Sequence, residues 1–432
     1  MAVPAASPDL SALSETAMRH APFQAFKRLF LPAALLASLA APFALAVPAA
    51  AEIAVSPAVG QPLQAARTAL EKKQYANALK EVERASAAPK VTAQEKWAIE
   101  QMRAAIYKAQ GRFDLAANAF EAAAKLVPLS DADQGGVLET LSQLWYRAGD
   151  YEKSIQFGEK AIAAGRRSDA FRQMVAEAYY RAKKPVEAAR IAQALVTEQR
   201  KAGKTPSPDL LQFLAASEFA SGDSAGYIRT LRQQLLTDPS RANWQRLFDT
   251  MERTQKVPDR LDLDWARLKL AADAYENPDS YTEMAQLALV SDLPGEALSI
   301  LEKGWAGGIL GTGPKAPRQE RMRAYAQEQR AAQLAALDER ERQAIADKDA
   351  ESLAKIGMAR VTQGQADKGI ALMQQALRGK LRQPNPVRLR LAMAQYGARQ
   401  AKPAQQTLAT LPADSDEARL GGLWSLLYAG KK

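Results

Sequence analysis

The sequence contains no cysteine, and its single histidine, His20, lies near the N-terminus of the 432 residues. The absence of cysteine excludes disulfide bonds, thiolate metal sites, cysteine nucleophiles and a lipid-modified cysteine. His20 precedes the N-terminal apolar run and would be lost with a cleaved signal peptide, so catalytic triads built on histidine are excluded from the mature chain as well. We therefore expect no enzyme, no metal site and no cofactor. Catalysis by paired carboxylates is the enzymatic alternative that remains.

One long uncharged run stands at the N-terminus, where Leu29 to Ala46 follow the basic pair Lys27-Arg28. Small residues come next, up to Ala51, and this order is typical of a secretory signal. We predict a signal peptide over residues 1–51, for which Met18 is an alternative start, and a periplasmic bacterial protein. The alternative is an uncleaved anchor in the inner membrane that leaves the chain facing the periplasm.

The charge is basic, with 58 lysines and arginines against 48 acidic residues and a net charge of +10. Removal of residues 1–51 would lower that charge by only one. A basic exported protein suits anionic envelope partners, such as acidic peptide segments, peptidoglycan or lipid headgroups. Export argues against nucleic acid as the partner.

A helical repeat organises the rest of the chain, and its clearest copy runs from Trp97 to Pro128. An aromatic residue returns every 38 residues, and small residues keep the same step. The positions concerned are Tyr75, Phe113 and Tyr151, then Ala78, Ala116 and Ser154, then Ala85, Ala123 and Ala161. The pattern resembles the tetratricopeptide repeat (TPR), a helix-turn-helix unit of about 34 residues.

This resemblance implies an all-α chain, an α-solenoid of TPR-like helix-turn-helix repeats in which each unit buries its apolar face against the next. No alternating β pattern competes with it. After the signal we predict a linker (52–60), N-terminal repeats (61–240), degenerate helical repeats (241–303), a glycine-rich loop (304–317), a charged helix (318–349), C-terminal repeats (350–411) and a capping helix (412–432).

A narrower resemblance rests on YTEMAQLALVSDLPGEALSILEKGWAGGIL, which begins at Tyr281. A Leu-Pro turn, an "EKG" helix end and a "GGIL" tail are similar to the periplasmic TPR proteins that accompany TonB energy-transduction systems. This resemblance covers about a tenth of the chain, and it implies an envelope scaffold attached to an energised transport complex.

Aromatic and basic residues close the first helix of successive repeats. Helical spacing places Tyr107, Trp145 and Tyr179 toward the core. In the TPR family the next positions face the concave groove, which implies partner-binding residues at Lys108, Tyr146, Arg147, Tyr180 and Arg181. Such a groove suits an acidic or C-terminal peptide, because arginine can hold a carboxylate with two hydrogen bonds. The alternative is a merely solvated basic face.

The glycine-rich loop has the spacing of a phosphate-binding loop at Gly308 and Gly313, but Pro314 stands where lysine is required. We interpret it as a flexible loop in which Trp305 is a candidate contact residue. Further upstream, an aspartate-rich segment lacks the glycine and glutamate of a calcium loop. We expect Asp262 or Asp264 to cap the helix that follows.

The charged helix has a broken apolar stripe, which favours a surface helix with i,i+4 ion pairs such as Asp338–Arg342. A coiled coil for self-association is the alternative. Together the features predict a non-enzymatic periplasmic scaffold for a protein or peptide partner. A basic envelope protein that binds peptidoglycan or lipid headgroups is the second hypothesis.

Overall fold

A computed structural model of the chain describes residues 55–126, 128, 131–275 and 277–429. Over these ranges the secondary structure is helical throughout, without a strand. The predicted signal peptide lies outside the described residues. Contacts divide the chain into two compact units, unit 1 up to Arg166 and unit 2 from Arg167.

Unit 1 holds three helical hairpins. Their helices are α1 (Pro57–Glu71), α2 (Tyr75–Ser86), α3 (Ala93–Ala109), α4 (Phe113–Ala124), α5 (Asp131–Ala148) and α6 (Tyr151–Ala163). Helix α1 begins inside the segment predicted as a linker, because Pro57 and the residues after it are compatible with a first helical turn.

Unit 2 continues with further hairpins and one long helix. Its helices are α7 (Asp169–Arg181), α8 (Pro185–Lys201), α9 (Pro208–Ser221), α10 (Ser224–Gln234), α11 (Arg241–Thr254), α12 (Asp262–Ala271), α13 (Pro278–Val290), α14 (Pro294–Ala306), α15 (Ala316–Ala346), α16 (Ala350–Thr362), α17 (Ala366–Arg378), α18 (Pro384–Gly397), α19 (Ala401–Leu408) and α20 (Asp416–Ala429). A short 3-10 turn, Asp259–Leu261, precedes α12.

The small residues of the repeat are buried where the helices of each hairpin cross. Ala78, Ala116 and Ser154 are all 0% exposed. Side chains of this size let two helix backbones approach closely, which a larger residue would prevent. The third hairpin adds a polar contact at the same place, since the Ser142 hydroxyl donates to the Ser154 carbonyl at 2.8 Å.

Left-handed glycines end the first helix of the second and third hairpins. Gly111 has φ 75° and Gly149 has φ 82°, and both stand just before an aromatic helix start. A residue with a Cβ is strained in this region, so glycine is the residue that stops α3 and α5 at low cost. The turn therefore fixes where each second helix begins.

The first hairpin is tied to the second through Glu95 in α3. Thr92 and Glu95 form a reciprocal capping box, in which the Thr92 amide donates to Glu95 Oε2 at 2.8 Å. The other oxygen, Oε1, accepts from the Ser56 amide at 2.9 Å, just ahead of α1. Hydrogen bonds from Ser56 and then Thr92 lower the pKa of Glu95 to about 2.

Unit 2 is closed by its own C-terminal helices. A single core cluster joins Trp244, Phe248 and Trp265 of α11 and α12 to Leu389 and Trp424 of α18 and α20. Trp244 and Phe248 stack with centroids 5.4 Å apart, and Trp265 meets Phe248 edge-on at 5.1 Å. The C-terminal repeats therefore pack against the middle of the chain, and α20 contacts α12 as well as α18 and α19.

The long helix α15 lies at the surface and packs one side against the core of unit 2. Ala326, Leu337 and Ala344 belong to the core cluster shared with α14 and α16. The predicted pair Asp338–Arg342 is wrong, because Arg360 in α16 binds Asp338 and Arg342 pairs with Glu339 instead. A spacing of four residues brings two side chains within reach, but it does not exclude a better partner on a neighbouring helix.

The glycine-rich segment after α14 is also more ordered in its packing than a flexible loop. Gly304 lies inside α14, and a Cβ there would come within 2.7 Å of Leu310. Leu310 is 2% exposed, so the chain turns back onto the helix that it has just left. Trp305 is half-buried over this turn, with the Arg323 guanidinium 5.3 Å from its ring.

Candidate partner-binding site

The predicted groove residues of unit 1 lie in the last turns of α3 and α5. Lys108 and Arg147 are the basic residues of those turns, where a positive charge is favoured by the partial negative charge of the helix end. The carboxyl ends of two successive first helices thus each carry a cation. We refer to Lys108 and Arg147 as the basic pair.

The two cations of the basic pair act on each other. Lys108 is half-buried, and its pKa is lowered first by burial and then by the charge of Arg147. Arg147 is exposed, and its guanidinium lies 5.6 Å from the centre of the Phe113 ring. Two like charges that face each other across neighbouring hairpins create a positive potential, which an anion would relieve.

The aromatic residues beside the basic pair are buried against neighbouring side chains and are not exposed to a partner. Trp145 is 4% exposed and has the Lys153 ammonium 3.8 Å from its ring centre. Tyr146 is 9% exposed and meets Tyr151 edge-on at 5.7 Å. In unit 1 the surface of the predicted site is therefore cationic, and Tyr146 offers little of its ring to a partner.

Tyr180 and Arg181 lie at the end of α7, in unit 2. Tyr180 is half-buried and packs edge-on against Phe213, with centroids 5.9 Å apart. Arg181 is exposed and donates to Glu177 Oε1 at 3.0 Å. Because Glu177 compensates the charge of Arg181, this pair presents a weaker positive potential than Lys108 and Arg147 do.

Sequence reasoning missed the charged cluster at the start of α12. The expectation that Asp262 or Asp264 caps α12 is wrong, because Leu261 occupies the N-cap and makes no side-chain cap hydrogen bond. Asp264 is instead 0% exposed and binds two arginines, Arg267 at 2.6 Å and Arg390 at 2.9 Å. The Arg267 spacing of one helical turn was a readable signal, whereas nothing local points to Arg390.

Two further kinds of feature, a metal site and a membrane-spanning helix, are absent from the described residues. Over residues 55–126, 128, 131–275 and 277–429, no group of three or more metal-ligating side chains comes together. In the same ranges no helix is both long enough and apolar enough to cross a membrane.

No family model matches the chain, and a search of curated proteins found no match. Among solved structures the chain is similar to Naa15/Naa10 bound to HypK-THB, at 14% identity and TM-score 0.29, over 83% of this chain and 64% of that chain. It therefore spans less than two thirds of that neighbour.

Two other neighbours are TPR domains by description. The P58(IPK) TPR domain has 14% identity and TM-score 0.21, over 87% of this chain and 99% of that one. The TPR2AB domain of yeast Sti1 in complex with pHSP90 has 15% identity and TM-score 0.19, over 77% and 97%. Scores this low carry no argument about function.

The architecture of the chain is that of a TPR-type α-solenoid. The decisive observation is internal to the chain, namely consecutive helical hairpins whose small residues recur at a fixed step and are buried at each crossing. The candidate site residues lie where first helices end, and their role in partner binding stays a prediction.

Proposed function

We propose that the chain is a periplasmic scaffold without catalytic activity, and that it binds an acidic or C-terminal segment of an envelope protein. The observation that carries the proposal is the basic pair, in which the last turns of two successive first helices each hold a cation; burial and then the charge of Arg147 lower the pKa of Lys108. Two effects favour binding of a carboxylate to such a pair. The anion removes the repulsion between the cations, and it accepts their hydrogen bonds.

The neighbourhood of the basic pair supports a peptide as the source of that carboxylate. Phe113 holds one face of the Arg147 guanidinium, and the cation–π contact leaves the edge of the guanidinium for hydrogen bonding. Tyr107 lies beside it under Arg112, at 5.4 Å. Stacked hairpins that end in cations and aromatic rings suit an extended chain with acidic groups.

The proposed cellular location of the partner is inferred from the sequence. The basic and apolar run before Ala51 supports export, and an exported basic protein meets anionic envelope components. The proposal extends to a place in a TonB-type transport complex, which rests on the segment that begins at Tyr281. In unit 2, Tyr281, Gly304 and Leu310 of this segment pack together, so the resemblance concerns a complete hairpin with its tail.

Binding of synthetic peptides tests the groove directly. A short peptide with acidic side chains and a free C-terminal carboxylate is labelled and titrated by fluorescence anisotropy, beside its amide-capped form and a form with Asn and Gln in place of the acids. We expect saturable binding of the acidic form only, and a loss of roughly tenfold or more in Lys108→Glu and in Arg147→Glu. Lys96→Glu, an exposed lysine on the same helix α3, is the matched control and should leave binding unchanged.

Photo-crosslinking in cells identifies the natural partner. The photoreactive residue replaces Asp114, which is exposed and follows Phe113, because Tyr146 is buried and Arg147 is itself one of the two cations proposed to bind the partner. One dominant envelope protein, lost when Lys108→Glu is added, supports the scaffold, and a TonB-type component supports the narrower place. Glycan or lipid adducts, or binding of all three peptides with equal affinity, would instead favour the hypothesis of a basic envelope protein without a peptide groove.

A further inference from the structure

A cavity of about 260 Å³ lies inside unit 2, where the C-terminal repeats return to α12. Its walls come from the 3-10 turn and α12, from the turn before α14, and from α15, α16, α17 and α18. A wider depression of about 440 Å³ shares Arg340, Lys355 and Ile356 with it, which gives the cavity a route to solvent. Its volume suits a small metabolite rather than a folded partner.

Part of the wall is apolar. Leu263, Leu293, Leu337, Ile356 and Met373 line it, and each of them is at most 7% exposed in the folded chain. These residues belong to the core cluster of unit 2, so this part of the wall is rigid. An apolar wall of this kind binds a hydrocarbon group and excludes water around any charge beside it.

The opposite part of the wall is a fixed network of charges. Arg267 is 6% exposed and is held by Asp264 and Glu296, each at 2.6 Å. Arg390 donates through Nε and Nη2 to Asp264 and through Nη2 to the carbonyl of Arg260. The buried Asp264 and the carbonyl of Arg260 thus orient Arg390, while its Nη1 makes no hydrogen bond to any described residue.

Two more cations on the wall have donors to spare. Arg340 of α15 uses only Nη2, toward Asp292 at 3.0 Å. Lys355 of α16 is exposed and forms no ion pair with a described residue, although its charge contributes weakly to the lowered pKa of Asp349. Helices α15, α16 and α18 therefore each place a positively charged hydrogen-bond donor at the same cavity.

The two carboxylates on the same wall are already in use. Glu351 accepts from the Arg382 amide at 2.7 Å, and Asp292 accepts from Arg340. The main-chain carbonyl of Asp292 accepts from Gln333 at 2.7 Å. Each carboxylate is thus engaged by at least one donor, whereas Lys355 and Nη1 of Arg390 make no hydrogen bond to a described residue, so a desolvated anion beside them would gain charge-assisted hydrogen bonds.

We propose that this cavity is a binding site for a small organic carboxylate. The carboxylate group accepts from Lys355, Arg340 and the free nitrogen of Arg390, and the hydrocarbon part lies on the apolar wall. The site is separate from the basic pair, since every residue that lines it belongs to unit 2.

The test uses hexanoate, its neutral isostere hexanamide and inorganic phosphate as probes of the full chain, titrated by isothermal calorimetry and by NMR up to about 10 mM. We expect one saturable site for hexanoate, and binding at least roughly tenfold weaker for hexanamide and for phosphate. Lys355→Glu should weaken hexanoate by a similar factor. Lys402→Glu, an exposed lysine of unit 2 that does not line the cavity, is the matched control and should keep the affinity within about twofold.

Several outcomes would overturn the proposal. These are equal affinity for hexanoate and hexanamide, tighter binding of phosphate, no saturable binding of hexanoate, or an unchanged affinity in Lys355→Glu. Because Lys355 is exposed and has no ion-pair partner, its substitution should leave the circular dichroism spectrum and the unfolding midpoint unchanged. The variant therefore reports on binding rather than on folding.

Discussion

Arg390 in α18 and Asp264 in α12 are 126 residues apart in the sequence, and their side chains meet at 2.9 Å. Asp264 is also the partner of Arg267, which is itself almost fully buried. One carboxylate thus connects the C-terminal repeats to the middle of unit 2. The contact closes a group of helices that repeat stacking alone would leave open.

Neutralising that carboxylate should destabilise unit 2 strongly. In Asp264→Asn the buried Arg267 and the partly exposed Arg390 lose a shared counter-ion, and breaking a buried ion pair from one side costs about 3–5 kcal/mol. The measurement is urea unfolding at neutral pH followed by the fluorescence of the neighbouring Trp265. Asp259→Asn, on an exposed aspartate of the same segment, should change the free energy of unfolding by no more than about 0.5 kcal/mol. Equal effects of the two variants would show that the closure does not depend on this charge.

The hydrogen bonds of Glu95 should make unit 1 sensitive to acid. The folded pKa is about 2 against an ordinary value of 4.5, so the carboxylate stabilises the fold fully above pH 4.5, and this stabilisation is lost as the pH falls toward 2. Unfolding curves followed by Trp97 fluorescence at several pH values in this range measure the effect. Glu95→Gln should unfold at lower denaturant concentration above pH 4.5 and depend less on pH below it.

The exposed Glu83 provides the control for that experiment. It has no ion pair with any residue of the described chain, so Glu83→Gln should retain the pH dependence of the original protein. If Glu95→Gln and the original protein lose stability in parallel between pH 4.5 and pH 2, the tie between Ser56, Thr92 and Glu95 is not the source of acid sensitivity.

The fold was predictable from the sequence because the same packing contacts recur in each repeat and require the same residue types at the same positions. A residue such as Ala116 must be small wherever two helices cross closely, so its recurrence at Ala78 and Ser154 reports a contact without any structure. The positions of Lys108 and Arg147 near the ends of successive first helices also follow from the repeat, whereas their role in partner binding is implied by the family resemblance and stays a prediction. The burial of the residues beside them was not predictable from the sequence, because it depends on how the adjacent hairpin packs.

The cavity of unit 2 was not predictable, for a physical reason. Its charged wall joins Asp264 to Arg390, which belong to different repeats, and nothing in the local sequence of either residue points to the other. The wrong pair Asp338–Arg342 illustrates the same limit. Helical spacing defines which side chains can meet within one helix, but Arg360 on the packed helix α16 offers Asp338 a partner of higher burial.

Helices α16 and α17 cross at two glycines, and the crossing should not accept a larger residue. A Cβ on Gly369 would lie 2.4 Å from the Gly357 carbonyl oxygen and 2.6 Å from Val361 Cγ2. Because the first of these atoms belongs to the backbone, Gly369→Ala should cost about 1–3 kcal/mol through overpacking. Gly397→Ala at the end of α18 has no atom within 4 Å of its new methyl group and should be neutral or slightly stabilising. A neutral Gly369→Ala in thermal unfolding would mean that the two helices can separate freely.

The last prediction concerns the alternative that α15 forms a coiled coil. Tyr325 and Leu334 are its large exposed apolar residues in the first two thirds of the helix, at 52% and 41% exposure. Tyr325 stands nine residues, about two and a half turns, before Leu334 and so points to the opposite side. Ile345, which is 44% exposed, lies on the side of Leu334 but eleven residues further on, so these residues do not sustain a heptad seam. The buried side of α15, which includes Leu337, is already packed in unit 2. We therefore expect Tyr325→Lys and Leu334→Lys to leave the sedimentation coefficient unchanged at every protein concentration. A fall in the measured mass of either variant would show that α15 takes part in self-association, and its exposed apolar residues would then mark the contact.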